Sequence, residues 1–214
     1  MATRALYFPH FASGSGFRSS LGLSSSRADH AEARLYDDAG MPWQAFASGS
    51  EGDPVSLSGS GVITTDGQGS LRSGSAQVSA DDTIKGLLTF SALGFSDAAL
   101  APSQPADGFI APVRRDVASG ENTGIAVASI GQAVTVRLTL RTPEGLAASD
   151  PVSFAIPANG HIARFIDELF PDADTSHFLG SVTVEAEGGK VVSAAIELGS
   201  YGRFVVAPAT ALRK

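Results

Sequence analysis

The sequence predicts an all-β fold: two tandem antiparallel β-sandwich repeats, Ig-like or jelly-roll-like, with one short α-helix in the second. Three observations predict it. Apolar and polar residues alternate with period two in several segments. Turn signals such as DDAG, TPEG, ANG and EGG return at intervals of about ten residues, the rhythm of short strands closed by tight turns. And the order of phrases in the first half returns in the second.

The alternation is plainest in VTVRLTL, where Val134, Val136, Leu138 and Leu140 oppose Thr135, Arg137 and Thr139. SVTVEAE places Val182, Val184 and Ala186 on one face, and VVSAAIEL places Val192, Ala194, Ile196 and Leu198. In the first half TIKGLLTF offers Ile84, Gly86, Leu88 and Phe90 as the counterpart of that last stripe. One dry and one wet face suits antiparallel sheets; parallel strands covered on both sides read as continuous apolar runs.

The internal similarity is collinear. GFRSSLGLSS (16–25) is answered by GENTGIAVAS (120–129), ARLYDDAGMP (33–42) by LTLRTPEGLA (138–147), and PVSLS (54–58) by PVSFA (151–155). GSAQVSAD (74–81) is answered by GSVTVEAE (180–187), and FSDAALAP (95–102) by YGRFVVAP (201–208). The turn-rich PSQPADG (102–108) lies between the halves, which places repeat 1 at 1–104 and repeat 2 at 105–214.

GHIARFIDELFP breaks the strand rhythm. Ile162, Phe165, Ile166, Leu169 and Phe170 fall at helical spacing, with His161, Arg164, Asp167 and Glu168 opposite. A helix over about 161–170 is expected, capped by Asn159, stopped at Pro171, and serving as a plug for the second core. The first half has GVITTDGQGSL in that place, where the plug is expected to be reduced.

With 214 residues, 43% of them hydrophobic and only 17% charged, the chain has the composition of a folded globular protein. A net charge of −7 and no basic cluster beyond Arg114–Arg115 argue against nucleic acid, whose binders need a cationic stripe. No cysteine is present, so disulfides, thiol catalysis and cysteine zinc sites are excluded. No apolar run approaches the roughly 18 residues of a membrane-spanning helix. The opening MATRALYFPHF lacks the apolar core of a secretory signal, so none is expected within this chain.

Catalytic signatures are missing: no G-x-S-x-G, Walker loop, G-x-G-x-x-G or H-E-x-x-H occurs. His10, His30, His161 and His177 have no ligand-like spacing; His10 is read as an edge or turn residue and His161 as a polar first-turn residue. Asp172 and Asp174 have the alternating spacing of calcium-loop oxygens, but the rest of that loop is absent and Asx-turn chemistry explains them better. Trp43, with Tyr36 nearby, is the candidate platform for a sugar ring, although core packing is the preferred reading of a lone tryptophan. No cofactor and no catalytic residue are assigned. A hydrolase would need paired carboxylates, or a nucleophile beside a base, meeting across the interdomain groove.

The opening LYFPHF, a G-x-x-x-S/T-x-L/I-x-L/V strand, the D-x-x-G turn and GHIARFIDELFP together resemble an uncharacterised tandem β-sandwich repeat of roughly 100 residues. That repeat is found in exported bacterial multidomain proteins, and NTGIAVAS with GHIARFIDELFP carries the likeness most specifically. The resemblance implies a secreted or cell-surface setting and a non-catalytic structural or adhesive role; it supplies no catalytic residues. The alternative is a carbohydrate-binding protein using loop aromatics or the inter-repeat groove. Expected partners are other protein modules or glycans, and the chain is expected to be a monomer or to self-associate through exposed strand edges.

Overall fold

The computed structural model describes residues 4–25, 30–43, 55–57, 60–92 and 94–212. The first half forms β1 (Arg4–Ser13), β2 (Arg18–Ser24), β3 (Ala31–Asp37), β4 (Val55–Leu57), β5 (Gly61–Thr64), β6 (Arg72–Ala80), β7 (Lys85–Ser91) and β8 (Ala98–Leu100). The second forms β9 (Gly108–Asp116), β10 (Asn122–Ser129), β11 (Val134–Arg141), β12 (Val152–Ile156) and β13 (His161–Phe165). A single helical turn, α1 (Ile166–Leu169), follows, and then β14 (His177–Glu187), β15 (Val191–Gly199), β16 (Arg203–Pro208) and β17 (Thr210–Ala211).

Every ladder is antiparallel, and the two halves share one strand order. The first half builds β1-β6-β3-β4 and β5-β2-β7-β8; the second builds β9-β14-β11-β12, with β17 added beyond β9, and β13-β10-β15-β16. The likeness reaches single atoms. Ser19 Oγ accepts the Ala12 N–H (3.1 Å) and donates to the Ala12 carbonyl (2.7 Å); Thr123 Oγ1 does the same to Arg114 (2.9 and 2.7 Å). A Cβ on Gly74 would run into the Tyr36 carbonyl, and one on Gly180 into the Arg141 carbonyl. Glycine is required at both places because two backbones meet there.

Each pair of sheets encloses a core. Phe8, Leu35 and Val78 from one sheet meet Leu21, Leu88 and Phe90 from the other; in the second half Phe109, Leu138 and Val184 meet Ile125, Val127 and Val191. The two bodies are not separate beads, however. Ala194 and Phe204, with Ile196, Leu198 and Val206 beside them, join the first core and not their own. The stripe Val192–Ala194–Ile196–Leu198 therefore faces the first half of the chain, and Val191 and Ala195 serve the sandwich that β15 belongs to. Its register counterpart is not Leu88 and Phe90 but the solvent-facing side of β7: Gly124 pairs with Ile196 as Ser20 pairs with Thr89.

The helix is shorter than its sequence spacing implies. Residues 161–165 form β13, an edge strand laddered to β10 from Ala128↔His161 to Gly124↔Phe165, and only Ile166–Leu169 coil. An isolated helix of two to three turns is marginal, whereas the open edge of β10 offers each backbone group a partner. Asn159 does not cap it. It sits at φ 60 in the turn before β13, and the turn closes with Gly160 N–H donating to the Pro157 carbonyl (2.8 Å). Glu168 caps instead, accepting the Phe165 N–H at 2.8 Å. Ile166, Leu169 and Phe170 do enter the second core, at most 2% exposed. In the first half β5 stands where β13 does, and the described residues 65–71 that follow it form no helical turn.

Candidate functional site at the junction of the halves

Two turns that the sequence marks only as punctuation dock on one another. The turn after β3 (Asp37–Met41) meets the turn before β13 so closely that a Cβ on Gly40, at φ +78, would collide with the Ala158 carbonyl. Asn159 Oδ1 accepts from Gln77 Nε2 (3.2 Å) and from the Gly131 N–H (3.0 Å). The His161 N–H donates to the Asp38 carbonyl at 3.3 Å.

Beside this contact a polar chain crosses the junction. Asp38 Oδ1 lies 2.8 Å from His161 Nδ1, and His161 Nε2 lies 3.2 Å from His10 Nδ1. Asp38 holds the His161 ring through Nδ1, and the other nitrogen of that ring is the one that meets His10. His10 meets it through Nδ1, which leaves Nε2 as its remaining ring nitrogen. That nitrogen has no partner among the described residues. His161 is 1% exposed, and burial, then the neighbouring His161, push the His10 imidazole down to about 3, so His10 is neutral.

A β-bulge places His10 there. In β1, Phe8 pairs with Ala76 and Phe11 with Gly74, so Pro9 and His10 together face Ser75. In β9, Ala111 pairs with Val182 and Val113 with Gly180, so Pro112 alone faces Ser181. The first half carries one residue more, and bulges of this kind re-aim a side chain.

His10 lines a cleft of about 380 Å³ between the halves. Its walls are Phe17, Phe90, Phe165, Ile196 and Phe204, with the exposed Arg164 and Glu168 at the rim. The rim charges are engaged elsewhere. Arg164 lies over the Phe154 ring at 5.2 Å, and Glu168 caps α1. The His10 ring packs on Phe90, centroids 5.6 Å apart.

Residues singled out in the sequence lie elsewhere. Trp43 is 6% exposed, edge-on to Phe11 at 5.5 Å and covered by the Arg72 guanidinium at 4.5 Å, which leaves no open ring face for a sugar. Tyr36 is half-buried and bridges to Pro42. Asp172 and Asp174 are exposed in the turn before β14. Asp174 accepts the Ser176 N–H at 3.1 Å, and that bond, with the Ser176 hydroxyl, holds its carboxyl below the usual range. Among the described residues no three histidine or carboxylate side chains gather around a metal position. His30 and His177 stand apart, beside Glu32 (3.4 Å) and Asp116 (3.0 Å).

The His10–His161 pairing escaped the sequence reading because the two are separated by most of the chain. The one local signal was a Pro-His pair inside an apolar strand, in a phrase one residue longer than its counterpart.

No protein-family model matches the chain, and no curated protein matches it. Among solved structures the chain is similar to an anti-sigma factor domain-containing protein at 8% identity and a TM-score of 0.18, over 96% of this chain and 82% of that one. A TM-score at that level carries no argument about fold or function.

Proposed function

We propose that the chain is a non-catalytic structural or adhesive module of a secreted or cell-surface bacterial protein, two repeats fused into one stiff body. One observation carries the reading: the centre of the sheet β13-β10-β15-β16, along β10 and β15, is covered on both faces, by its own sandwich partner and by the first half. Ala126, Ala128, Val192 and Ala194 are at most 1% exposed. A flexible pair of beads would leave that face wet, whereas a spacer or contact module gains stiffness by drying it. The corresponding face of β5-β2-β7-β8 presents Ser24, Thr64, Lys85 and Thr89 around Val62 and Leu87, a more polar surface suited to the end of an array. Pulling the full chain by its two ends in a force-spectroscopy tether tests this. Both halves are expected to rupture in a single event, and two well-separated low-force events would reject a stiff module.

A further inference from the structure

We propose that the cleft between the halves binds a small, largely apolar molecule carrying a single hydroxyl, an alcohol or phenol whose hydroxyl group hydrogen-bonds with His10 Nε2. The volume of about 380 Å³ falls within the range of about 300–1,000 Å³ usual for small-molecule sites. The walls are aromatic and aliphatic, and the arginine and glutamate at the mouth are turned to other partners. Inside, the second ring nitrogen of His10 is the polar group, and the orientation of its ring is not left to chance. Asp38 holds the His161 ring, His161 holds the His10 ring, and the bulge in β1 supplies the extra residue that brings His10 to the wall.

The chemistry selects the ligand class. A neutral imidazole in an apolar cleft offers no countercharge to a carboxylate or phosphate and leaves most hydroxyls of a sugar unpaired, which costs binding. A hydrocarbon of the same shape fills the walls but leaves Nε2 without its bond. A single hydroxyl on an apolar body satisfies both. The inference is independent of the mechanical role proposed above, since a stiff module with an inert cleft is equally stiff.

Para-cresol and para-xylene, nearly isosteric and differing by one hydroxyl, are the probes. Each is titrated into the full chain while the His10 ring nitrogen and Cε1–H resonances are followed. Para-cresol is expected to shift the Nε2 resonance saturably and to bind at least about tenfold more tightly than para-xylene, the difference one good hydrogen bond makes. His10→Phe is expected to remove that preference. Ile196→Trp, which fills the cleft from the opposite wall, is expected to abolish binding of both probes while the β11 and β14 amide resonances stay in place. No saturable shift, equal binding of the two probes, or a preference that survives either substitution would overturn the proposal; the comparison on the unsubstituted chain stands even if a variant fails to fold.

Discussion

His10 enters the junction without a charge, and that has a measurable cost in acid. Its folded value of about 3 lies below the ordinary 6.5. Between the two, an unfolded chain binds a proton that the folded chain refuses, so stability rises with pH across this window and falls on acidification. The loss is up to about 1.4 kcal/mol for each pH unit crossed. The groups facing His10 are His161 and, through it, Asp38, with Arg164 and Glu168 at the rim. Asp116, Asp167 and Asp174 are held below the usual 3.8 and Glu144 below 4.5, so their contributions are lost only in stronger acid, and the span from 6.5 down to about 5 reports His10. Urea midpoints measured over that span are expected to drop with acid in the native chain and to stay nearly flat in His10→Phe; parallel slopes would refute the assignment. Gly40 makes a second prediction at this scale. Gly40→Ala meets both a positive φ and the Ala158 carbonyl, and is expected to cost about 1–3 kcal/mol in chemical denaturation.

At the scale of elements, α1 is anchored by core and by charge together. Partial burial raises the Asp167 carboxyl, but the Asn122 side chain (2.9 Å), its own backbone N–H and the Arg115 guanidinium (3.3 Å) outweigh it and hold the group ionised. Arg115 also donates to Thr175 Oγ1 at 3.1 Å, tying the turn to the loop beyond it. Leu169 lies in the second core, so Leu169→Ala is expected to cost about 2–5 kcal/mol, whereas Phe165→Ala, at the partly open cleft wall, should cost less; the ordering of their urea midpoints is the check. The same segment shows where sequence reading stops. Strand identity and the paired order of phrases were legible because side-chain alternation and turn residues are local properties. The extent of the helix was not. His161–Phe165 satisfies helical spacing on paper, yet the vacant edge of β10 decides its backbone, and that edge is a tertiary fact. The Val192–Leu198 stripe misled for a related reason: β15 is apolar on both faces, and alternation cannot say which face meets which neighbour.

Across the whole molecule, the shared sheet couples the folding of the two halves. Ala126, Ala128 and Ala194 are small enough for the first half to approach the β10–β15 surface closely, and Phe90 stacks near Phe204 at 5.7 Å across the junction. Unfolding either half alone would expose that surface on the other, so neither half can melt without penalising its neighbour. The single tryptophan gives a convenient local probe, since Trp43 reports only the first core, whereas far-ultraviolet circular dichroism reports strands of both halves. The two signals are expected to change with one midpoint in urea, as a two-state transition requires. Ala194→Asp would place a carboxylate in a seam where Ala194 is 1% exposed. It is expected to cost at least about 3 kcal/mol and to pull the two midpoints apart, because the penalty falls on the contact and not on either separate core. Two midpoints in the native chain would mean that the junction contributes little, and the stiff-module reading would fall with it.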